Sequence, residues 1–353
     1  MSLYKYIAAA PKAELHVHLE GSIQPSTLLR LAKRNHVDLP TDTEKGLRDW
    51  YRFRDFHHFI EVYVKITQCL QTTEDFELIV YEFGAEMAKQ NIRYAEVTFS
   101  PSTHFAINGV DQNIWFKGLT EGRRRVKECF GAEINWVFDL VRNDNPIEGR
   151  FEYTTRMAIE GKDHGVVALG LGGIEEGYPP APFTPWFDRA RAAGLHSVPH
   201  AGEFGGPASI WSAISDLGAE RIGHGVRAIE DPDLVSYLAE HHIPLEVSST
   251  SNISLGIYPD LKSHPLKRLH DSGVAIIVNS DDPPLFNTTL TKEFGLLVAP
   301  YGFSNETIDE ILLNGIRFSF LPETIKRRMR TSFIEEMSKL RKTYGIEPAN
   351  QTK

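Results

Sequence analysis

The sequence predicts an α/β fold of the (β/α)8 type, a TIM barrel of parallel strands with a helical insertion after its first strand. Two observations carry that prediction. Short runs rich in Val and Ile recur at 13–19, 92–100, 133–142, 166–172, 196–201, 221–224, 244–249 and 275–281. They are separated mostly by longer amphipathic segments, the alternation expected where helical crossovers join parallel strands. The runs also number eight, and eight such units close into a barrel that carries its chemistry at the C-terminal strand ends. An open doubly wound sheet would want a Gly-rich dinucleotide turn early in the chain. Gly170-Leu171-Gly172-Gly173 lies mid-chain and lacks the G-x-G-x-x-G spacing.

Length and composition agree with this architecture. A chain of 353 residues with 41% hydrophobic content can bury a large core, as two ordinary domains or as one barrel. No domain boundary, low-complexity tract or fixed-period repeat interrupts it, so residues 1–353 are read as a single domain. Lys and Arg total 38 against 47 Asp and Glu, a net charge of −9. That balance argues against nucleic acid or an anionic membrane as an obligatory partner. The basic clusters Arg123-Arg124-Arg125 and 326–330 sit in helix-like stretches and are read as solvated faces. Two cysteines, Cys69 and Cys129, provide neither a disulfide framework nor a Cys-rich zinc site and fit a reducing compartment. The first ten residues lack a sustained apolar core, and no apolar run of about eighteen residues occurs, so a soluble cytoplasmic protein is expected. A homo-oligomer is left open.

The first run, Ala13 to Leu19, alternates so that His16 and His18 face one side while Leu15, Val17 and Leu19 face the other. Some seventy residues then precede the second run, too many for one crossover helix. Ser26 is read as the N-cap of a helix reaching Asn35. A second helix opens at Thr72-Thr73 and runs to about Gln90, with Phe76 in its first turn. Between them, Phe53, Phe56, Phe59 and Ile60 recur at helical spacing through to Val64. That stripe is read as ordinary core, the alternative being that part of it roofs the barrel mouth against a flat ligand. The tail after about Lys342 is polar and is expected to fray.

Four motifs carry candidate chemistry. His16-x-His18 can hold one metal ion. His200-Ala201-Gly202-Glu203 follows the fifth run, its small residues letting the chain turn so that Glu203 looks back toward His200. Arg221-Ile222-Gly223-His224-Gly225 ends the sixth, and Asn279-Ser280-Asp281-Asp282-Pro283 ends the eighth, where adjacent carboxylates face differently and can divide two jobs. Singly, each has an ordinary reading: solvated histidines, a turn histidine, a salt-bridged glutamate, a helix-capping aspartate. All four falling at the C-terminal ends of barrel strands favours a joint functional site.

Together with Leu15-His-Val-His-Leu-Glu-Gly21 and Glu246-Val-Ser-Ser-Thr-Ser-Asn252, these motifs resemble, in order and over almost the whole length, the adenosine/adenine deaminase family of metal-dependent amidohydrolases. The resemblance implies one catalytic Zn2+ per chain, with ligands mapping to His16, His18, His200 and Asp281, a donor set that suits zinc and leaves a position for water. It implies that His224 orients or deprotonates that water, that Glu203 gives a proton to N1 of the purine, and that Asp282 positions the water and the purine edge. Gly173 matches a glycine whose backbone contacts the purine. Glu20 stands where adenosine deaminases commonly carry Asp near the ribose. Ser248-Ser249 replaces a common Cys-Pro at a non-ligand position. The 170–180 segment departs from the adenosine-type Ala-Gly-Asp-Glu pattern and is similar to the adenine and aminodeoxyfutalosine deaminase branches.

The expected activity is therefore hydrolytic conversion of the 6-amino group of an adenosine-like nucleoside to 6-oxo with release of ammonia. The alternatives are 6-aminodeoxyfutalosine of the menaquinone pathway, free adenine, and a zinc- and purine-binding protein without catalysis. A two-metal amidohydrolase would want a bridging Lys at the fourth strand end, and 166–178 contains none. Cytidine-type deaminases use a Pro-Cys-x-x-Cys motif, also absent.

Overall fold

The computed structural model describes residues 2–144 and 148–346. All eight predicted strands are present: β1 Lys12–His18, β2 Ile92–Phe99, β3 Glu133–Val141, β4 Val166–Gly172, β5 His196–Ala201, β6 Ile222–His224, β7 Leu245–Val247 and β8 Ile276–Val278. They run parallel in the order β1 to β8, each neighbour joined in sequence by helical crossovers. The last three are shorter than the sequence suggested. After Val247 the chain turns at once into the helix Ser249–Ser254, and after Val278 it is diverted toward β1.

That diversion closes the barrel. Asn279 Oδ1 accepts the backbone N–H groups of Leu15 at 2.9 Å and His16 at 3.0 Å, so a side-chain amide replaces ladder bonds between β8 and β1. Val17 and Asp281 then form a parallel bridge, His18 N–H donating to Asp281 O at 2.9 Å and Asp281 N–H to His16 O at 3.2 Å. The same bonds that shut the cylinder set His16, His18 and Asp281 side by side.

Between β1 and β2 stand the helices Pro25–Arg34, Glu44–Trp50, Phe56–Gln68 and Thr73–Lys89. Thr72 caps the last of these in a reciprocal capping box with Asp75. Ser26 is not the cap of the first: Gln24 precedes it and Pro25 takes the opening position, where a missing N–H costs nothing. The Arg123–Arg125 cluster is only partly a solvated face. Arg124 pairs with Glu121 and Glu128 on its own helix, but Arg125 reaches Glu77 at 2.6 Å and Arg123 bonds Asn135 at 2.9 Å, tying the helix Gln112–Phe130 to its neighbours. Cys69 is buried, Cys129 exposed, and both are free thiols. Among the described residues no helix is long and apolar enough to cross a membrane. The expected fraying after Lys342 does not begin there: the helix Glu323–Tyr344 continues past it, Gly345 caps it and Ile346 is buried in the core, while the tail from 347 lies outside the described residues.

Candidate active site

At the C-terminal mouth the four predicted motifs meet. His16 and His200 lie with ring centroids 4.5 Å apart, His18 and His200 5.3 Å, and one nitrogen of each of the three rings lies within 4.8 Å of those of the other two. Asp281 Oδ1 stands 3.3 Å from His18 Nε2 and 3.6 Å from His16 Nε2. Its other oxygen accepts the Ser251 hydroxyl at 2.6 Å. His16 Nδ1 donates to Glu246 at 2.9 Å, which leaves the Nε2 lone pair aimed inward. That Nε2 is buried without a hydrogen-bond partner. Three imidazoles and one carboxylate, with Nδ1 of His16 already engaged by Glu246, make a donor set that could hold a metal ion such as zinc.

Glu246 is itself held. Arg221 Nε donates to it at 2.5 Å while Arg221 NH2 donates to Glu96 at 2.6 Å, all three side chains being almost completely buried. A charged chain thus runs through the barrel interior from Glu96 to His16. Burial alone would lower the His16 pKa, but Asp281 and Glu246 outweigh it and raise it to about 10. Such a shift marks a locus where positive charge is stabilised.

Two of the site residues carry backbone strain. His224 and Asp281 hold φ of 60° and 64°, left-handed values that cost a non-glycine residue roughly 1–2 kcal/mol each. Gly21 permits Asp282 to enter the site, because a β-carbon at residue 21 would coincide with Asp282 Oδ1. Burial first, then the Asp281 charge, pushes the Asp282 carboxyl well above the usual range. Burial likewise pushes Glu203 well above it, reinforced by Asp281 and Glu175. Glu203 Oε1 lies 3.6 Å from His224 Nε2. Burial lowers the His224 pKa to about 3, so that ring is neutral.

Two supporting groups escaped the sequence reading. Glu175, in the loop after β4, accepts the backbone N–H of Gly202 at 2.6 Å, Glu203 at 3.1 Å, Phe204 at 2.9 Å and Gly205 at 2.8 Å, and the Ser209 hydroxyl at 2.5 Å. One carboxylate therefore shapes the turn that carries Glu203. The second is a relay behind His224. Leu266 N–H donates to His264 Nδ1 at 3.2 Å, so His264 carries its proton on Nε2 and gives it to Asn252 Oδ1 at 3.1 Å. Asn252 must then present its amide N–H to His224 Nδ1, at 3.2 Å. The neutral His224 consequently holds its proton on Nε2, on the side of Glu203 and Asp281.

These groups floor a cleft of about 240 Å3. Its apolar wall includes Phe56, Phe59, Ile60 and Val64 from the helix Phe56–Gln68. Both readings of the aromatic stripe hold: Phe59 packs into the core, and the same helix roofs the mouth. Gly173, His200, Glu203, His224, Asp281 and Asp282 all line the cleft. Glu20 does not. It is 1% exposed, its Oε1 accepting from His104 Nε2 at 2.7 Å and its Oε2 from the Tyr63 hydroxyl at 3.1 Å, so Tyr63 stands between it and the cavity.

A parallel eight-stranded barrel with histidines from β1 and β5 and an aspartate just after β8 gathered at one mouth defines an amidohydrolase-type enzyme. The chain belongs to the adenosine deaminase family, whose model matches residues 11–336. It is 42% identical over 331 residues to an aminodeoxyfutalosine deaminase of Streptomyces coelicolor, covering 93% of this chain and 84% of that protein. It is 36% identical over 323 residues to an adenine deaminase of Crocosphaera subtropica, covering 92% and 98%. Among solved structures, an adenine deaminase from Arthrobacter aurescens superposes with TM-score 0.88 at 31% identity, over 95% of this chain and all of that one. A zinc-bound amidohydrolase from Burkholderia ambifaria gives TM-score 0.88 at 25% identity, over 98% and 95%.

Proposed function

We infer that this chain is a single-domain, zinc-dependent hydrolytic deaminase of a 6-aminopurine nucleoside, and that 6-aminodeoxyfutalosine is its substrate. The observation that carries the reaction class is the meeting of Glu203, His224 and Asp282 with the four metal-type ligands at one end of one cleft. The substrate is chosen on two further grounds. Relatives at 42% identity over nearly the whole chain are named for it, and the cleft is lined as well by Asn143 and Arg150, polar groups that the deamination itself does not use.

His16, His18, His200 and Asp281 would hold the ion. Bound there, Zn2+ lowers the pKa of a water toward neutrality and so supplies a nucleophile at physiological pH. Attack on C6 breaks the aromaticity of the ring, and the chain's own groups lower that barrier. Glu203, kept protonated by burial and its anionic neighbours, gives its proton to N1 so that electron density can leave C6. His224 meets the incoming oxygen with its Nε2–H, acting as an orienting donor rather than as the base. Asp282, whose Oδ1 has no protein partner, positions the oxygen and the purine edge. Gly173 brings backbone against the opposite edge of the ring. Asp282 passes the hydroxyl proton of the tetrahedral carbon to the amino nitrogen, so collapse expels ammonia and leaves the 6-oxo purine, and the proton shed when the water became a nucleophile restores Glu203.

Ammonia release from purified 6-aminodeoxyfutalosine, adenosine and adenine tests this. The highest kcat/KM is expected for the first. Preference for free adenine would displace the nucleoside reading. Loss of all three activities in a protein that binds purine and one zinc per chain would replace the enzyme by a binding protein.

A further inference from the structure

If Glu20 is shut behind Tyr63, the group that meets the sugar must be sought elsewhere on the cavity wall. Asp139, two residues before the end of β3, is 3% exposed and still lines the cleft. Its Oδ1 accepts the Ser100 hydroxyl at 2.6 Å. Among the described residues no donor from another residue reaches Oδ2. That oxygen lies directly over Gly172, where a β-carbon would collide with it, so the carboxylate occupies space that only glycine leaves open. Burial raises the Asp139 pKa to about 7, so a hydroxyl donor arriving from the cleft would favour its charged form. No step of the deamination described above uses this carboxylate.

Its place in the cleft says what satisfies it. Gly172 directly precedes Gly173, whose backbone, in the pose proposed above, would face the edge of the purine remote from the 6-amino group. On a purine that remote edge carries N9 and its substituent. Asp139 Oδ2 is an acceptor, and Ser100, having donated to Oδ1, presents its oxygen to the same cavity as a second acceptor. Two adjacent acceptors match two adjacent hydroxyl donors.

We propose that Asp139 and Ser100 form the subsite for the vicinal hydroxyls of a sugar on N9, making Asp139 the residue that selects a nucleoside over a free base. The inference rests on the nucleoside reading above. It explains how a chain whose Glu20 is committed to His104 and Tyr63 can still grip a sugar.

The test compares adenosine or 6-aminodeoxyfutalosine, whichever the wild-type enzyme turns over, with its 2′-deoxy and 3′-deoxy forms, in wild type, Asp139→Ala and Ser100→Ala. In wild type, loss of a hydroxyl should raise KM about 10- to 100-fold, the scale of a hydrogen bond to a charged group. In Asp139→Ala the intact substrate should show the raised KM and the deoxy forms no further penalty. A wild-type enzyme indifferent to both hydroxyls overturns the subsite even if Asp139→Ala fails to fold, as does a variant that keeps the full penalty. Wild-type turnover of free adenine alone overturns the nucleoside reading, and the subsite falls with it.

Discussion

The carboxylate of Glu175 accepts the backbone N–H of Glu203 at 3.1 Å and with it the N–H groups of Gly202, Phe204 and Gly205. Four amides converging on one anion resemble the nests that bind phosphate in other proteins, here filled by the protein's own side chain. The Glu175 pKa stays below the ordinary carboxyl range although burial would raise it, because Arg142 and these donors favour the anion. Glu175→Gln has one acceptor where two are needed and should let the turn relax. A displacement near 1 Å can cost on the order of 10²-fold in rate, so kcat should fall 10- to 100-fold with zinc content unchanged. Unaltered kcat in a folded Glu175→Gln enzyme would remove its positioning role.

Glu203 itself has a sharper signature. Glu203→Gln keeps size and a hydrogen bond but has no transferable proton, so turnover should drop at least about 10²-fold while zinc and substrate affinity survive. His200→Ala should instead lose the metal, read by elemental analysis. The pH dependence follows from the raised carboxyl pKa. An acid that must be protonated works below its pKa, so kcat should hold at neutral pH and decline as pH rises through the elevated value. In Glu203→Gln that alkaline limb should vanish from the residual rate.

How much of this was legible in the chain divides by distance along it. Period-two alternation placed His16 and His18 on one face, and strand-end position located His200, His224 and Asp281, because those signals are local. Glu175 was not legible as a support: apart from the Ser209 hydroxyl, its partners are backbone amides 27 to 30 residues onward, which leave no mark in a side-chain pattern. The nearest hint was the glycine-rich run from Gly202 to Gly206, a turn needing something to bind its exposed N–H groups. Glu20 misled for the opposite reason. Its neighbours in sequence are site residues, but two elements of the insertion and the β2 exit, Tyr63 and His104, turn its carboxylate away. Ser26 lost the cap position to Gln24 because Pro25, with φ already helical and no N–H to leave unpaired, takes the first helical position.

Asn252 fixes which nitrogen of His224 carries the proton, and exchanging its amide for a carboxylate should reverse the assignment. In Asn252→Asp an acceptor faces His224 Nδ1, the proton moves there, and Nε2 becomes a lone pair where a donor is required. Turnover should fall by at least about tenfold with zinc retained, since one donor at a developing charge is worth 10²–10³ in rate elsewhere. Nitrogen-15 NMR of the imidazole reads the tautomer directly. Finding Nδ1–H in the wild-type protein would refute the orienting role and restore His224 as a base.

The chain from Glu96 through Arg221 and Glu246 to His16 links metal affinity to fold stability. Burial would raise the Glu246 pKa, but Arg221 and His16 outweigh it and keep the group anionic. Arg221 divides its guanidinium between Glu246 and Glu96 and gives a third bond to Phe318 O at 2.9 Å, with its plane 3.9 Å over the Phe320 ring. Glu246→Gln keeps the shape but removes one of the two charges that balance Arg221, and breaking a buried pair on one side costs about 3–5 kcal/mol. The same substitution loosens the tautomer of His16, because an amide can donate to Nδ1 as well as accept from it. Loss of such an orienting partner typically weakens metal binding 10- to 100-fold. Denaturant unfolding and chelator competition should therefore report both losses in one variant. Glu246→Ala, which removes the orienting acceptor outright, should bind metal no better than Glu246→Gln. A Glu246→Gln protein with wild-type zinc affinity would show that His16 is held by the barrel backbone alone, whatever its stability.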